Sequence, residues 1–110
     1  MSGRPRLETL NRDNELVSII FQHKGIKNAI GTQELVLALR KKGYTVRADF
    51  IHQLILKIIN ERHLPICGKC HSGYYWAKSK QDIKESIAEL SAKIKGLQER
   101  IAFYESFIYE

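Results

Sequence analysis

The segment Cys67-Gly68-Lys69-Cys70-His71 has residue types and spacing that match a named chemistry, the C-x-x-C-H of c-type haem attachment. Two thiols would receive the haem vinyl groups, and the adjacent histidine would ligate iron. That chemistry needs export or a dedicated lyase, and a pocket that encloses a macrocycle. No apolar segment follows the basic N-terminus, so no signal peptide is expected, and haem does not fit. Adding His63 gives His63, Cys67, Cys70 and His71, a weak zinc candidate. Closed zinc sites usually join two separated ligand pairs, whereas these four residues crowd one short segment. A simpler reading makes Gly68-Lys69 the two-residue loop of a hairpin, with Gly at the first central position of a type II′ turn. Cys67 and Cys70 then flank the turn, and Lys69 sits at its tip within reach of a phosphate. No cofactor is expected. No helix or loop gathers the acid, base and nucleophile of an active site, so the chain is not expected to be an enzyme.

Within 110 residues the chain carries a formal charge of +6 and a pI near 9.4, which suits a polyanionic partner. No apolar run approaches the ~20 residues of a membrane span. The expected location is the cytoplasm, with both cysteines reduced.

These side chains need elements to position them. Residues 46–62 carry Phe50, Ile51, Leu54, Ile55, Ile58 and Ile59 at spacings of three and four, one face of a helix. Pro65 cannot continue that helix, and Leu64-Pro65-Ile66 followed by Gly73-Tyr74-Tyr75-Trp76 predicts two short strands around a turn. A shorter helix over 32–42, capped by Thr32 and ended by Gly43, carries Leu35, Val36 and Leu39 inward. Ahead of it, Asn11 and Asp13 are candidate N-caps for a helix with Leu16, Val17, Ile19, Ile20 and Phe21. Gly25 is its expected left-handed C′ residue, and Asn28-Ala29-Ile30 offers a short strand beside the hairpin.

Helix, tight turn, helix, hairpin is the order of a winged helix-turn-helix. Thr45-Val46-Arg47-Ala48-Asp49 resembles the Thr-Val-Arg-Arg-Asp start of recognition helices in many bacterial winged-helix repressors. Leu64-Pro65-Ile66 with Gly73-Tyr74-Tyr75-Trp76-Ala77 is similar to the wing of small winged-helix proteins of phages and mobile elements. The resemblance covers residues 13–78 and implies double-stranded DNA as partner, with the second helix in the major groove.

On that reading, Gln53 and Asn60 are candidates to pair with adenine, and His52 with a guanine acceptor edge. Arg47 suits a phosphate; Thr45 and Lys57 are further candidates. Leu56, on the polar face, either meets a thymine methyl or is a scattered exposed apolar residue. Lys41 and Lys42 end the preceding helix, where cations favour its dipole, and are candidate phosphate contacts. Arg4 and Arg6 belong to a basic arm, residues 1–12, which is either unstructured or reaches phosphates or a minor groove.

Residues 79–110 carry the most regular signal. Ser79 with Asp82 forms a variant capping box. Ile83, Ile87, Leu90, Ile94, Leu97, Ile101, Tyr104 and Ile108 then alternate steps of four and three. With Ile87, Ile94, Ile101 and Ile108 at heptad position a, β-branched a and mainly Leu d predict a parallel coiled-coil homodimer. The expected fold class is mainly α with a small β-hairpin wing: a winged helix-turn-helix followed by a long C-terminal coiled-coil helix. The expected function is homodimeric, sequence-specific DNA binding by a transcriptional regulator or a phage replication or recombination accessory. Alternatives are a winged-helix protein-interaction adaptor and a metal- or redox-sensing regulator using Cys67 and Cys70.

Overall fold

Leu16 and Ile20, one helical turn apart, are both fully buried, and they fix the inward face of the first helix. In a computed structural model, which describes residues 7–69 and 72–109, this helix is α1 (Leu7–Phe21). It starts six residues before Asp13, so neither Asn11 nor Asp13 is its N-cap and residues 7–12 are not an arm. Asp13 instead lies within the helix, buried, with both Arg12 Nε and a terminal Arg12 nitrogen donating to its Oδ1 at 3.2 Å. That pairing removes the side chain from competition with the helix backbone, which is what usually sends Asx residues to caps. Arg4 and Arg6 lie outside the described residues.

Beyond Phe21 the chain turns through Gly25, which lies four residues past the helix and so is not its C′ residue. A single 3₁₀ turn (Ile26–Asn28) follows. The strand expected over 28–30 reduces to one residue. Ile30 and Tyr74 exchange both backbone hydrogen bonds at 2.8 Å, in an isolated antiparallel bridge. Helix α2 (Thr32–Lys41) is capped by Gly31, whose N–H donates to Glu34 Oε1 at 3.4 Å; Thr32 is its first helical residue, not its cap. Leu35, Val36 and Leu39 are buried.

Helix α3 (Ala48–Arg62) begins after Arg47 and ends at left-handed His63. Ile51, Leu54, Ile55 and Ile58 form its buried face. Phe50 does not join them and is 43% exposed, because at ~100° per residue it lies ~90° from the centre of that face. Strands β1 (Ile66–Lys69) and β2 (Gly73–Trp76) pair antiparallel from Ile66↔Trp76 to Lys69↔Gly73. Gly68 and Lys69 are therefore strand residues, and the connection is 70–72, not a two-residue turn. Gly68 has a packing role: a Cβ there would meet the Tyr74 ring at 3.2 Å.

The hydrophobic core lies between α1, α2 and α3, and the hairpin closes it with Ile66. Each fully buried Leu or Ile contributes about 1.5–3 kcal/mol as an upper estimate. Helix α4 (Lys80–Ile108) then leaves this core. Ser79 Oγ accepts the Asp82 N–H at 3.4 Å, and the Asp82 carboxylate accepts the Lys78 N–H at 2.9 Å. At 29 residues it is about 44 Å long. Only its first turns touch the core, chiefly at β1, and the radius of gyration is 17.1 Å against ~13 Å for a compact chain of this length. No helix among the described residues is long and apolar enough to cross a membrane.

Two glycines with positive φ separate local strain from tertiary fit. At Gly73 (φ 102°) a Cβ would collide with the Ile30 carbonyl oxygen, whereas at Gly43 (φ 92°) it would meet open space. Gly43→Ala is expected to cost about 1–2 kcal/mol from backbone strain alone. Gly73→Ala adds overpacking of about 1–3 kcal/mol. Urea unfolding of the two variants checks the order; equal losses would mean the hairpin is not clamped on Ile30.

Candidate nucleic-acid interface

The outward face of α3 opposes Ile51, Leu54, Ile55 and Ile58, and this places Asp49, Gln53, Leu56, Lys57 and Asn60 in solvent. Cations surround that face. Lys41 and Lys42 stand exposed at the end of α2, beside the turn that leads into α3. Lys69 is exposed at the last residue of β1. Arg47, just before the first turn of α3, donates to Asp49 Oδ2 at 2.7 Å. Both partners are largely exposed, so water and salt screen the pair, and the guanidinium keeps donors for another acceptor.

The candidates separate into two groups around α3. Thr45, Arg47 and Gln53 line one notch of about 360 Å³, with Val46, Asp49 and Phe50. Arg12 of α1 completes it, a residue that sequence reading did not single out. Nothing in its local spacing relates it to α3; the packing of α1 carries it there. Its guanidinium also bonds the buried Asp13, which fixes its base and leaves donors toward the notch.

The second group faces the hairpin. His52, Leu56 and Lys69 line a larger groove of about 690 Å³, mostly apolar, together with Ile59, Tyr74 and residues at the foot of α4. His52 Nδ1 lies 2.8 Å from the Tyr74 hydroxyl. Burial disfavours the phenolate and raises the Tyr74 pKa above its ordinary value near 10. Whichever tautomer His52 adopts, this bond engages Nδ1 and leaves Nε2 as the ring nitrogen not held by Tyr74. His52 is thus oriented by a side chain 22 residues away, a partner that the pattern of α3 does not reveal.

Lys57 lies 4.0 Å from Glu61, a long ion pair on an exposed helix face, and Asn60 is exposed with no side-chain bond among the described residues. Of the weak zinc candidates, Cys67 is buried in β1 opposite Tyr75, and His63 is exposed at the end of α3. Cys70 and His71 lie outside the described residues, and among those described no group of three ligating side chains comes together.

Comparison with protein-family models, curated proteins and solved structures yields no match to this chain.

The Tyr74 environment has a measurable consequence. Because the folded state resists phenolate formation, stability is unaffected below the unfolded tyrosine pKa near 10 and falls as pH rises beyond it. Tyr74→Phe is expected to reduce that alkaline loss in urea titrations between pH 8 and 11. An unchanged curve would place the penalty at other groups.

Proposed function

We propose that this chain is a homodimeric, sequence-specific double-stranded DNA-binding protein of winged helix-turn-helix type. It acts in the cytoplasm as a transcriptional regulator or as a replication or recombination accessory of a phage or mobile element. The observation that carries the reading is the exposed polar face of α3, with Arg47, Lys41 and Lys42 at one end and hairpin Lys69 beside it. Phosphate contacts from these cations hold the duplex without reading it, and Arg12 joins them from α1. Gln53 and Asn60 reach base edges, where each suits adenine. His52 reads through Nε2, its Nδ1 being held by Tyr74.

The dimer forms through α4. Ile87, Leu90, Ile94, Leu97, Ile101, Tyr104 and Ile108 are each 55–71% exposed, with Ile83 partly buried at the foot. Such an apolar stripe on one helix asks for a partner. Pairing two α3 helices on one duplex links two half-sites. A second reading, a protein-interaction adaptor, draws on the apolar groove that Leu56 lines, a surface unsuited to phosphates.

The two classes of side chain are expected to separate in one titration series on matched and scrambled duplexes. Arg47→Ala and Lys69→Ala weaken both duplexes alike and lower the slope of log affinity against log salt by ~1 for each phosphate no longer neutralised. Gln53→Ala and Asn60→Ala each remove ~1–3 kcal/mol of discrimination and keep the salt slope. If the specificity ratio survives both of the latter changes, α3 does not read bases and the adaptor reading takes its place.

A further inference from the structure

Two apolar features remain unassigned by pairing along the seam alone. One is the groove between α3, the hairpin and the foot of α4, walled by Leu56, Ile59, Tyr74 and Leu90. The other is a pair of aromatic rings near the far end of α4. Phe103 and Phe107 pack edge to face with centroids 5.2 Å apart, yet they are 59% and 66% exposed. In the heptad set by Ile87, Ile94, Ile101 and Ile108, these rings fall at c and g, off the a/d seam.

The α4 residues that line the groove are Ser86, Glu89, Leu90 and Lys93, at positions g, c, d and g. They are therefore the same edge of the helix as the aromatic pair, at its opposite end. A parallel pair keeps these two ends apart, leaving both rings in solvent and the groove open. An antiparallel pair brings each tip onto the other copy's foot.

We propose that α4 pairs antiparallel with α4 of a second copy, so that the partner's Phe103 and Phe107 seat against the Ser86, Glu89 and Leu90 wall of the groove at its foot, leaving its His52 and Lys69 wall to DNA. This rests on the homodimer put forward above and gives it an orientation. The seam closes without a vacancy in that register. Ile83 meets the partner's Ile108, Ile87 the partner's Tyr104, Leu90 the partner's Ile101, and Ile94 the partner's Leu97. On the groove side g faces g, which sets the partner's Phe107 across from Ser86 and the partner's Phe103 one turn further along, at the level of Glu89 and Leu90.

Charge does not decide the orientation. Antiparallel pairing sets Lys84 against the partner's Glu105 but Lys93 against the partner's Arg100. The second contact is softened by Glu89, whose Oε1 lies 3.6 Å from Lys93 Nζ. Parallel pairing sets Arg100 against the partner's Glu105, and β-branched a residues favour it. Burial decides instead, since two Phe side chains carry more apolar area than exposed ion pairs offset.

The test uses the full chain with p-benzoylphenylalanine at Phe107, mixed from ¹⁴N and ¹⁵N copies and irradiated, with adducts mapped by mass spectrometry. The expected adducts join one copy's tip to residues 52–93 of the other. Adducts to the partner's residues 100–109, or none from a dimeric sample, would overturn the orientation while leaving the dimer. Sedimentation of the unmodified chain as a monomer at micromolar concentration would overturn the dimer itself. As an independent measure, Phe103→Ser/Phe107→Ser is expected to raise the dimer dissociation constant at least ~10-fold. An unchanged constant counts against the groove as the seat of the rings.

Discussion

The close approach of Gly73 to the Ile30 carbonyl is the contact on which the rest of the structure depends. With no side chain in the way, Tyr74 and Ile30 exchange two backbone hydrogen bonds, and the hairpin is fastened to the segment entering α2. The next residues of β2 extend the attachment. Trp76 donates to the His23 carbonyl at 2.8 Å and accepts from Gly25 at 2.9 Å, so the hairpin also holds the segment leaving α1. Trp76 then packs edge to face on Phe21, and Lys24 Nζ lies 4.1 Å from the centre of the same Phe21 ring. A two-stranded hairpin alone is marginal in water; here it is stable because its backbone is shared with the helical core.

That attachment sets the surroundings of α3. With β2 held against Ile30, Tyr74 stands beside α3 and orients His52, while β1 carries Lys69 to the same side. Strand β2 also sets the point from which α4 departs, where Ser79 accepts the Asp82 N–H and Asp82 in turn accepts the N–H of Lys78 ahead of the helix. One clamp therefore aligns the polar face of α3, the hairpin cation and the foot of the long helix. Beyond that foot the core contributes nothing to α4, since no residue of this helix is buried. Most helical stability in proteins comes from packing an apolar face, and α4 presents such a face to solvent along nearly its whole length.

The sequence by itself determined the elements and their order. Steps of three and four in Leu35 to Leu39, in Ile51 to Ile58 and in Ile83 to Ile108 give helices, and Pro65 with the Tyr74-Tyr75-Trp76 run gives a hairpin. These are local patterns, and a period survives whatever packs against it. Ends were less legible, because a cap is a contest among neighbouring donors and acceptors. Gly31 with Glu34 won it over Thr32, and Asp13 was withdrawn from it by Arg12. The connection falls at 70–72 because the pairing runs on to Lys69 and Gly73, which keeps Gly68 within β1 against the Tyr74 ring.

Only the tertiary structure decided which side chains meet. Cations and amides on α3 could be placed on its outer face from spacing, as could Lys69 near the hairpin end. The bond from Tyr74 to His52, the arrival of Arg12 beside Arg47 and Gln53, and the groove joining Leu56 to Leu90 could not. Each pair is separated by at least 22 residues, far beyond the reach of a helical or strand period. Their meeting depends on how α1, the hairpin and α4 pack around one buried core, and that is a property of the whole chain.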